Sequence, residues 1–471
     1  MQQVREYEQA DGVISLANLL GALSYALDLT EGQPVGHCLR STWIGMRIGR
    51  AMGLPDMQLW ELYYTVMLKD LGCSSNAARI CELYLSDDIA FKRDSKTLGD
   101  SLPKVLGFIL SHTGRRSKLG DRLRAVLNIV QNGEAIVDDL IQTRCHRGAE
   151  IAASLRFPPS VSDGIQALDE HWNGEGRPDR LAGPAIPIYS RIALLSQVID
   201  VFHTAAGPEA AISEARARSG TWFDPHAVAC FERVAAEPDF WATLASEGVA
   251  DAVFSLEPGR SLIAVDEAYL DDIARAFAQI IDSKSPFTSG HSERVSIYAD
   301  MIAAELGYAP DHRRWLRRAA LLHDIGKLGV SNAILDKNGK LDEEEWREMR
   351  AHASLSESIL SCVPVFQEMA RIGGAHHERL DGKGYPRGLA GAQIELDTRI
   401  VSVADVFDAL TADRPYRAAM SVEKALSIMH ADVGTAFDTL CFEALERAIE
   451  AIGSDLTRAG FSVATEAEFA A

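Results

Sequence analysis

The stretch HDIGK, from His323 to Lys327, joins an imidazole directly to a carboxylate and carries the strongest structural and chemical signal in the chain. Further imidazole and carboxylate groups lie on both sides of it, at His291, His352, His376, His377 and Asp405. Side chains of these two types are common nitrogen and oxygen ligands of transition metals. So many of them within about one domain's length predict a hydrolytic site that holds more than one metal ion.

Apolar residues recur at helical spacing through most of the chain, whereas strand-like alternation is scarce. One such face consists of Leu270, Ile273, Ala274, Phe277 and Ile281, and this is the spacing of an amphipathic helix. Asp342, followed one turn later by Glu345, predicts a helix that starts with a capping box. These patterns predict an all-α fold.

A weaker copy of the same layout precedes HDIGK. His37 lies 254 residues before His291, and WNGEGRP (172–178) resembles LDGKGYP (380–386) at an offset of 208 residues. The smaller second offset indicates an insertion in the first copy, at about residues 74–125. We therefore predict two tandem helical bundles, residues 1–254 and 266–455, with a linker at 255–265 and a tail at 456–471.

Composition narrows the class of protein. The chain has 471 residues and 47% hydrophobic residues, enough for real cores, and its formal net charge of −20 argues against binding a nucleic-acid polymer. Its seven cysteines are scattered without a CxxC pair, which is typical of reduced thiols. Neither a secretory signal nor a membrane-spanning run is visible, so we expect a cytoplasmic protein without membrane contact.

The chemistry of HDIGK follows from its side chains. His323 can bind one metal ion, and the two oxygens of Asp324 can bridge to a second ion. Lys327 follows on the same side and can contact a phosphate. Two metal ions held together activate water and neutralise phosphate charge. Nitrogen and oxygen ligands without thiolate favour iron or manganese over structural zinc.

Residues 266–450 resemble an HD-GYP domain, a subgroup of the HD-superfamily metal-dependent phosphohydrolases. The resemblance rests on HDIGK, on HHERLDGKGYP (376–386) and on ADVFDALTADRPYR (404–417). It implies a helical bundle that hydrolyses cyclic di-GMP to pGpG, with GMP as a further product. On this resemblance the fold is two tandem HD-type bundles, of which the first is degenerate.

The resemblance also implies roles for individual residues. One metal ion would be bound by His291, His323, Asp324 and Asp405, and the other by His352, His376 and His377 with Asp324 bridging. Asp324 and Lys327 would be catalytic; Lys327, Arg414 and Arg417 would contact phosphate, and Gly384, Tyr385 and Pro386 would lie beside the nucleotide. Phe287 occupies the position of a glutamate that binds a third ion in some members, so we expect two ions.

The first copy has lost most of these ligands. The corresponding positions are His37, Lys69, Asp70, His146, Leu168, Asp169 and Gln197, of which His37, Asp70 and His146 are retained. Lys69 would place a cation where a metal ion should bind, at a substantial Coulomb cost. We expect this half to be regulatory or structural, and a protein partner or a dimer contact through residues 1–254 is left open.

Two alternatives to a cyclic di-GMP phosphodiesterase remain at this point. The first is an HD phosphohydrolase that acts on another nucleotide. The second is a protein-binding module that is mainly regulatory and has weak catalysis. The second half keeps a complete set of predicted ligands, which argues against its being inactive.

Overall fold

The computed structural model describes residues 15–98, 102–115, 117–258, 265–413 and 417–458. Within these ranges the chain forms helices and isolated bridges but no strand. The predicted all-α fold is confirmed.

Thirteen helices precede the predicted linker within the described residues. They are α1 Leu16–Thr30, α2 His37–Ala51, α3 Asp56–Met67, α4 Ala77–Tyr84, α5 Asp88–Ser95, α6 Leu102–His112, α7 Leu119–Ser154, α8 Pro159–Gln166, α9 Ile188–Ala206, α10 Pro208–Ala217, α11 Pro225–Ala235, α12 Pro238–Leu244 and α13 Val249–Ser255. Short 3-10 turns occur at Cys73–Asn76 and Gly183–Ala185.

Nine further helices are described after the linker. They are α14 Glu267–Asp282, α15 His291–Glu305, α16 Pro310–Leu322, α17 Asn332–Leu335, α18 Glu343–Ser361, α19 Gln367–Gly373, α20 Leu396–Thr411, α21 Val422–His430 and α22 Thr439–Arg458. Three 3-10 turns lie among them, at Ile325–Gly329, Pro364–Phe366 and Gly391–Gln393.

Local sequence explains where the helices begin. The capping box at Asp342 and Glu345 forms as predicted and starts α18. Gly290 and Gly36 adopt left-handed φ values of 68° and 86°, a conformation that glycine adopts without strain. Each turns the chain immediately before a histidine, so His291 and His37 are the first residues of α15 and α2.

The two halves share one hydrophobic core. Helix α1 packs on the 3-10 turn Ile325–Gly329 and on α18. Asp88 of α5 is buried in this interface, where its carboxylate accepts hydrogen bonds from the Ser331 hydroxyl at 3.2 Å and the Asn332 amide at 2.8 Å. The Lys284 ammonium lies 3.4 Å from the same carboxylate. The first half therefore packs directly against the segment that carries HDIGK.

The structure adds detail to the predicted insertion, tail and linker. The region of the proposed insertion contains α4, α5, α6 and the start of α7. They enclose a small core of their own, lined by Ile80, Leu83, Tyr84, Phe91, Phe108, Ile129 and Ile136. Helix α22 continues to Arg458 and so includes the first residues of the predicted tail. Residues 259–264 of the predicted linker lie outside the described ranges.

All seven cysteines are free thiols, as their spacing predicted. Among the described residues, no helix combines the length and the apolar character that crossing a bilayer requires.

Candidate metal centre

Five helices of the second half bring the predicted ligands together. His291 begins α15, His323 and Asp324 follow the last turn of α16, and His352 lies within α18. His376 and His377 follow α19, and Asp405 lies within α20. All seven side chains are buried except that of His377, which is partly exposed.

The seven side chains form two groups that share Asp324. In each group the ligand atoms lie within 4.8 Å of one another: Asp324, His352, His376 and His377 in one, and His291, His323, Asp324 and Asp405 in the other. His291 Nε2 lies 3.4 Å from Asp324 Oδ2, and His352 Nε2 lies 3.4 Å from Asp324 Oδ1. The carboxylate thus presents one oxygen to each group, which is the division that the family resemblance implied.

The imidazoles are oriented by the nitrogen that faces away from the centre. Nδ1 of His323, His352 and His376 lies 2.6, 2.6 and 2.9 Å from the carbonyl oxygens of Ala320, Met349 and Gly373. A nitrogen that contacts a carbonyl oxygen must donate, so Nε2 of each ring carries the lone pair. Hydrogen bonding of this kind is how proteins orient histidine for metal binding.

Unsatisfied atoms mark the centre. His291 Nε2, His323 Nε2 and Asp324 Oδ1 are buried and have no hydrogen-bond partner among the described residues. Buried polar atoms are rarely left in this state, because each costs the desolvation that a partner would offset. One cation in each group would satisfy these atoms, and the donor set therefore fits metal ions.

Electrostatics favours the protonation states that bind metal. Burial opposes the charged form of Asp324, but its Coulomb interactions with His323 and Lys327 outweigh burial and hold the pKa of Asp324 well below its usual range. Burial lowers the pKa of His352 to about 3, which keeps that ring neutral. His291 differs: burial opposes its charged form, yet the nearby carboxylates of Asp324, Asp405 and Asp408 raise its pKa to about 10. A metal ion must displace that proton on binding.

The GYP loop is fixed beside the centre by contacts to the backbone. A Cβ atom at Gly384 would lie 2.6 Å from the His377 carbonyl oxygen, so a side chain has no room there. The Glu378 carboxylate accepts hydrogen bonds from the amides of Arg387, Gly388 and Leu389 at 2.7, 3.1 and 2.9 Å. Tyr385 then packs on the ring of His377 with the centroids 4.8 Å apart.

Three residues at the centre were not predicted. Asp408 lies one helical turn after Asp405, and its Oδ2 accepts a hydrogen bond from His291 Nδ1 at 2.7 Å. Arg294 Nε donates to the other oxygen of Asp408 at 2.5 Å. The Arg350 guanidinium lies 5.4 Å from the centroid of Tyr385. The DVFD spacing of Asp405 and Asp408 was the one available signal in the sequence.

The predicted phosphate contacts have mixed outcomes. The Lys327 ammonium forms an ion pair with the Asp324 carboxylate, at the edge of the centre. The Arg417 guanidinium donates to the carbonyl oxygens of Ala409 and Leu410, at 2.6 and 2.8 Å, near the end of α20. These bonds account for Arg417 without a substrate, so its phosphate contact stays a prediction. Arg414 lies outside the described residues.

The first half preserves the framework of the centre. His37 Nδ1 donates to Asp200 at 2.7 Å, as His291 does to Asp408. The Glu170 carboxylate accepts from the amides of Asp179 and Leu181, at 2.6 and 2.8 Å, as Glu378 does in the second half. These matching contacts support a duplication.

Cations replace metal ligands in the first half. Lys69, at the position of His323, is buried and ion-paired with Asp70. The expected retention of His146 is wrong: its imidazole is 68% exposed and pairs with Glu150. A Cβ at Gly72 would meet Arg144 and Gly148, whereas one at Gly326 would meet His352 and Ser356. Arg144 therefore occupies the position of His352. The sequence alignment missed this correspondence because α7 is unbroken, so no turn marks the residue at which the repeat resumes.

Comparison with known proteins identifies the class. A family model described as HD domain matches residues 124–227 and 275–440, which lie in both halves and together exceed half of the chain. The chain belongs to the HD-domain family, and the predicted membership in the HD-superfamily phosphohydrolases is confirmed.

Particular relatives narrow the comparison. The 3'3'-cGAMP-specific phosphodiesterase 3 of Vibrio cholerae is 52% identical over 449 residues, which are 95% of this chain and 98% of that protein. The crystal structure of a cyclic GMP-AMP specific phosphodiesterase of V. cholerae, V-cGAP3, has a TM-score of 0.65 at 47% identity and covers 93% of this chain and 98% of its own. The cyclic di-GMP phosphodiesterase response regulator RpfG of Xanthomonas campestris is 40% identical over 43% of this chain and 54% of that protein.

Proposed function

We propose that this protein is a metal-dependent phosphodiesterase that hydrolyses a cyclic dinucleotide to a linear one. The observation that carries the proposal is the convergence of seven nitrogen and oxygen ligands in two groups that share Asp324. The GYP loop lies beside these ligands and places Tyr385 against His377, at the rim of the metal centre. The buried Nε2 atoms of His291 and His323, which have no hydrogen-bond partner among the described residues, support metal binding rather than a purely structural cluster.

The favoured substrate within this class is 3'3'-cGAMP. The support comes from the relative named for that specificity, which matches 95% of this chain, including the first half. Cyclic di-GMP, the substrate expected from the motifs, is the second candidate. It is supported by the cyclic di-GMP phosphodiesterase of X. campestris, whose match covers 43% of this chain.

Two metal ions would be held by the two groups of side chains, with Asp324 common to both. Bound there, the ions would supply Lewis acidity toward a phosphate and lower the pKa of water. Iron or manganese suits the ligand set, which contains imidazole and carboxylate but no thiolate. Phe287 offers no ligand atom, which favours two ions over three.

The protein's own side chains bind and orient the substrate. Lys327 places a positive charge beside Asp324, and a phosphate entering the centre can exchange that contact for its own oxygens. Arg350, next to Tyr385, adds a second cation at the rim. These local charges are needed because the net charge of −20 repels an anionic substrate.

We infer that the first half does not hydrolyse a phosphoester. Lys69 and Arg144 occupy two positions that bear histidine in the second half, and each is ion-paired with a carboxylate, Asp70 and Asp169 respectively. Their charges would repel a dication. A regulatory or structural role for this half follows from that replacement.

Turnover by the full chain tests the proposal. The protein is reconstituted with iron or manganese under reducing conditions and is given 3'3'-cGAMP, cyclic di-GMP and a panel of linear and mononucleotide substrates. We expect hydrolysis of the cyclic dinucleotides, with a higher kcat/KM for 3'3'-cGAMP.

Variants locate the activity. Asp324→Asn should lose metal and turnover, whereas Asp70→Asn, the matched change in the first half, should keep both. The proposal fails if the metal-loaded protein opens no cyclic dinucleotide, or if Asp324→Asn turns over as fast as the parent.

A further inference from the structure

A cavity of about 310 Å³ lies in the first half at the place that corresponds to the metal centre of the second half. Its lining includes Arg144, Asp169, Gly176 and Gln197. These residues correspond to His352, His377, Gly384 and Asp405, each 208 residues later. The first half has therefore kept a pocket where the second half has its centre, although most of the corresponding metal ligands are replaced.

The insertion closes this cavity from one side. Lys96, just beyond the end of α5, and Val137 of α7 both line it, and the second half has only α17 between Ile325–Gly329 and α18. The Lys96 ammonium lies 2.7 Å from the Glu31 carboxylate. An insertion that merely lengthened a loop would not place a lysine at the cavity wall.

Three cations line the cavity, although the protein as a whole is acidic. Lys96, Arg144 and Arg177 are ion-paired with the carboxylates of Glu31, Asp169 and Asp138 respectively. Arg144 Nε is buried and has no hydrogen-bond partner within the described part of the chain. A donor left in this state is costly, and an acceptor oxygen in the cavity would satisfy it. Phosphate oxygens are strong acceptors for lysine and arginine.

Size limits what can enter. A volume of about 310 Å³ is at the lower end of the range of small-molecule sites, about 300–1,000 Å³. This is room for a mononucleotide but is small for a cyclic dinucleotide. The cavity therefore fits a smaller ligand than the substrate proposed for the second half.

We propose that this cavity binds a phosphate-bearing small molecule of about mononucleotide size, without metal, through Lys96, Arg144 and Arg177. Arg144 occupies the position of a metal ligand, so its guanidinium supplies the positive charge that a metal ion would supply in the second half. The proposal goes beyond the hydrolytic function and does not depend on it.

Binding to the full chain, stripped of metal ions, tests this site. The probes are inorganic phosphate, GMP and AMP, with guanosine as the uncharged control, measured by isothermal titration calorimetry. We expect GMP or AMP to bind and guanosine not to bind at the same concentrations. Equal binding of GMP and guanosine would refute the role of the phosphate, and no binding of any probe below about 1 mM would refute the site.

Two variants assign the binding to the cavity. Lys96→Gln should weaken nucleotide binding at least tenfold. Val137→Trp should abolish it by filling the space; Val137 is 42% exposed, so this variant keeps the fold even if the loss of Lys96 perturbs Glu31. Lys424→Gln on exposed α21 serves as the matched control and should bind as the parent does. Loss of binding in Lys327→Gln with retention in Lys96→Gln and Val137→Trp would overturn the assignment.

Discussion

Replacing Gly326 by alanine should disable hydrolysis without removing any side chain of the centre. A Cβ at Gly326 would lie 2.6 Å from the Ser356 amide nitrogen and closer still to the His352 carbonyl oxygen. Both atoms belong to the backbone of α18, so no side chain can rotate to make room. The helix that carries His352 must move away from the turn that carries Asp324.

The size of the effect follows from this geometry. Relieving the contact requires a displacement of about 1 Å, and a misplacement of that size at a catalytic site costs about 100-fold in rate. Forcing an extra carbon into a packed interior also costs about 1–3 kcal/mol of stability. We therefore expect Gly326→Ala to fold, to unfold at a lower temperature, and to lose about 100-fold in kcat/KM together with part of its bound metal.

Gly72→Ala is the matched control. Its Cβ would lie 2.7 Å from the Gly148 amide nitrogen and closer still to the Arg144 carbonyl oxygen, the same clash in the half without a metal centre. This variant should lose similar stability and keep its activity. Measuring kcat/KM, metal content and thermal unfolding for both variants separates the loss of activity from the loss of stability. The reasoning is refuted if Gly326→Ala is as active as the parent, or if Gly72→Ala loses activity to the same degree.

Three further variants test other parts of the structure. Asp408→Asn, which weakens the hydrogen bond that orients His291, should lower metal affinity about 10–100-fold by equilibrium dialysis; the matched Asp200→Asn should not, and equal metal affinity in both variants would contradict the orienting role. Burial, reinforced by the charge of Lys69, lowers the pKa of His37 from 6.5 to about 4. The unfolded chain therefore takes up a proton that the folded chain refuses, and stability should fall as pH drops from about 6.5 towards 4. The free energy of unfolding in urea should depend less on pH for His37→Gln than for the parent. An unchanged pH dependence would refute His37 as its source. Asp88→Asn leaves Lys284 buried without its counter-charge at the interface of the halves and should cost about 3–5 kcal/mol; a loss below about 1 kcal/mol in chemical denaturation, the value typical of an exposed ion pair, would contradict it.

Much of the metal centre could be predicted from sequence because its ligands occur in short strings. HDIGK and HHERLDGKGYP each bring adjacent ligands, and the turns that follow α16 and α19 place each pair at the centre. Asp408 was missed because a carboxylate that binds a histidine looks the same in sequence as one that binds a metal. Its role depends on the distance between α15 and α20.

The alignment of the first copy with the second, beyond the insertion, could not be predicted in the same way. His146 is the retained residue type, but Arg144 is the residue whose backbone meets Gly72. Since α7 runs unbroken from Leu119 to Ser154, no cap or turn marks where the repeat resumes. Matching histidine to histidine therefore selected His146, which is the wrong position. The contact of Gly72 with Arg144, equivalent to that of Gly326 with His352, identifies Arg144 as the correct one.

The amino-acid sequence by itself determined the all-helical class, the duplication and the candidate ligands of the second half, because helical periodicity and ligand strings are local properties of the chain. Tertiary structure alone decided which carboxylate orients His291, how α5 buries Asp88 against the segment after HDIGK, and which cations fill the first half. Those features depend on contacts between residues far apart in the chain, and such contacts exist only once the helices have packed.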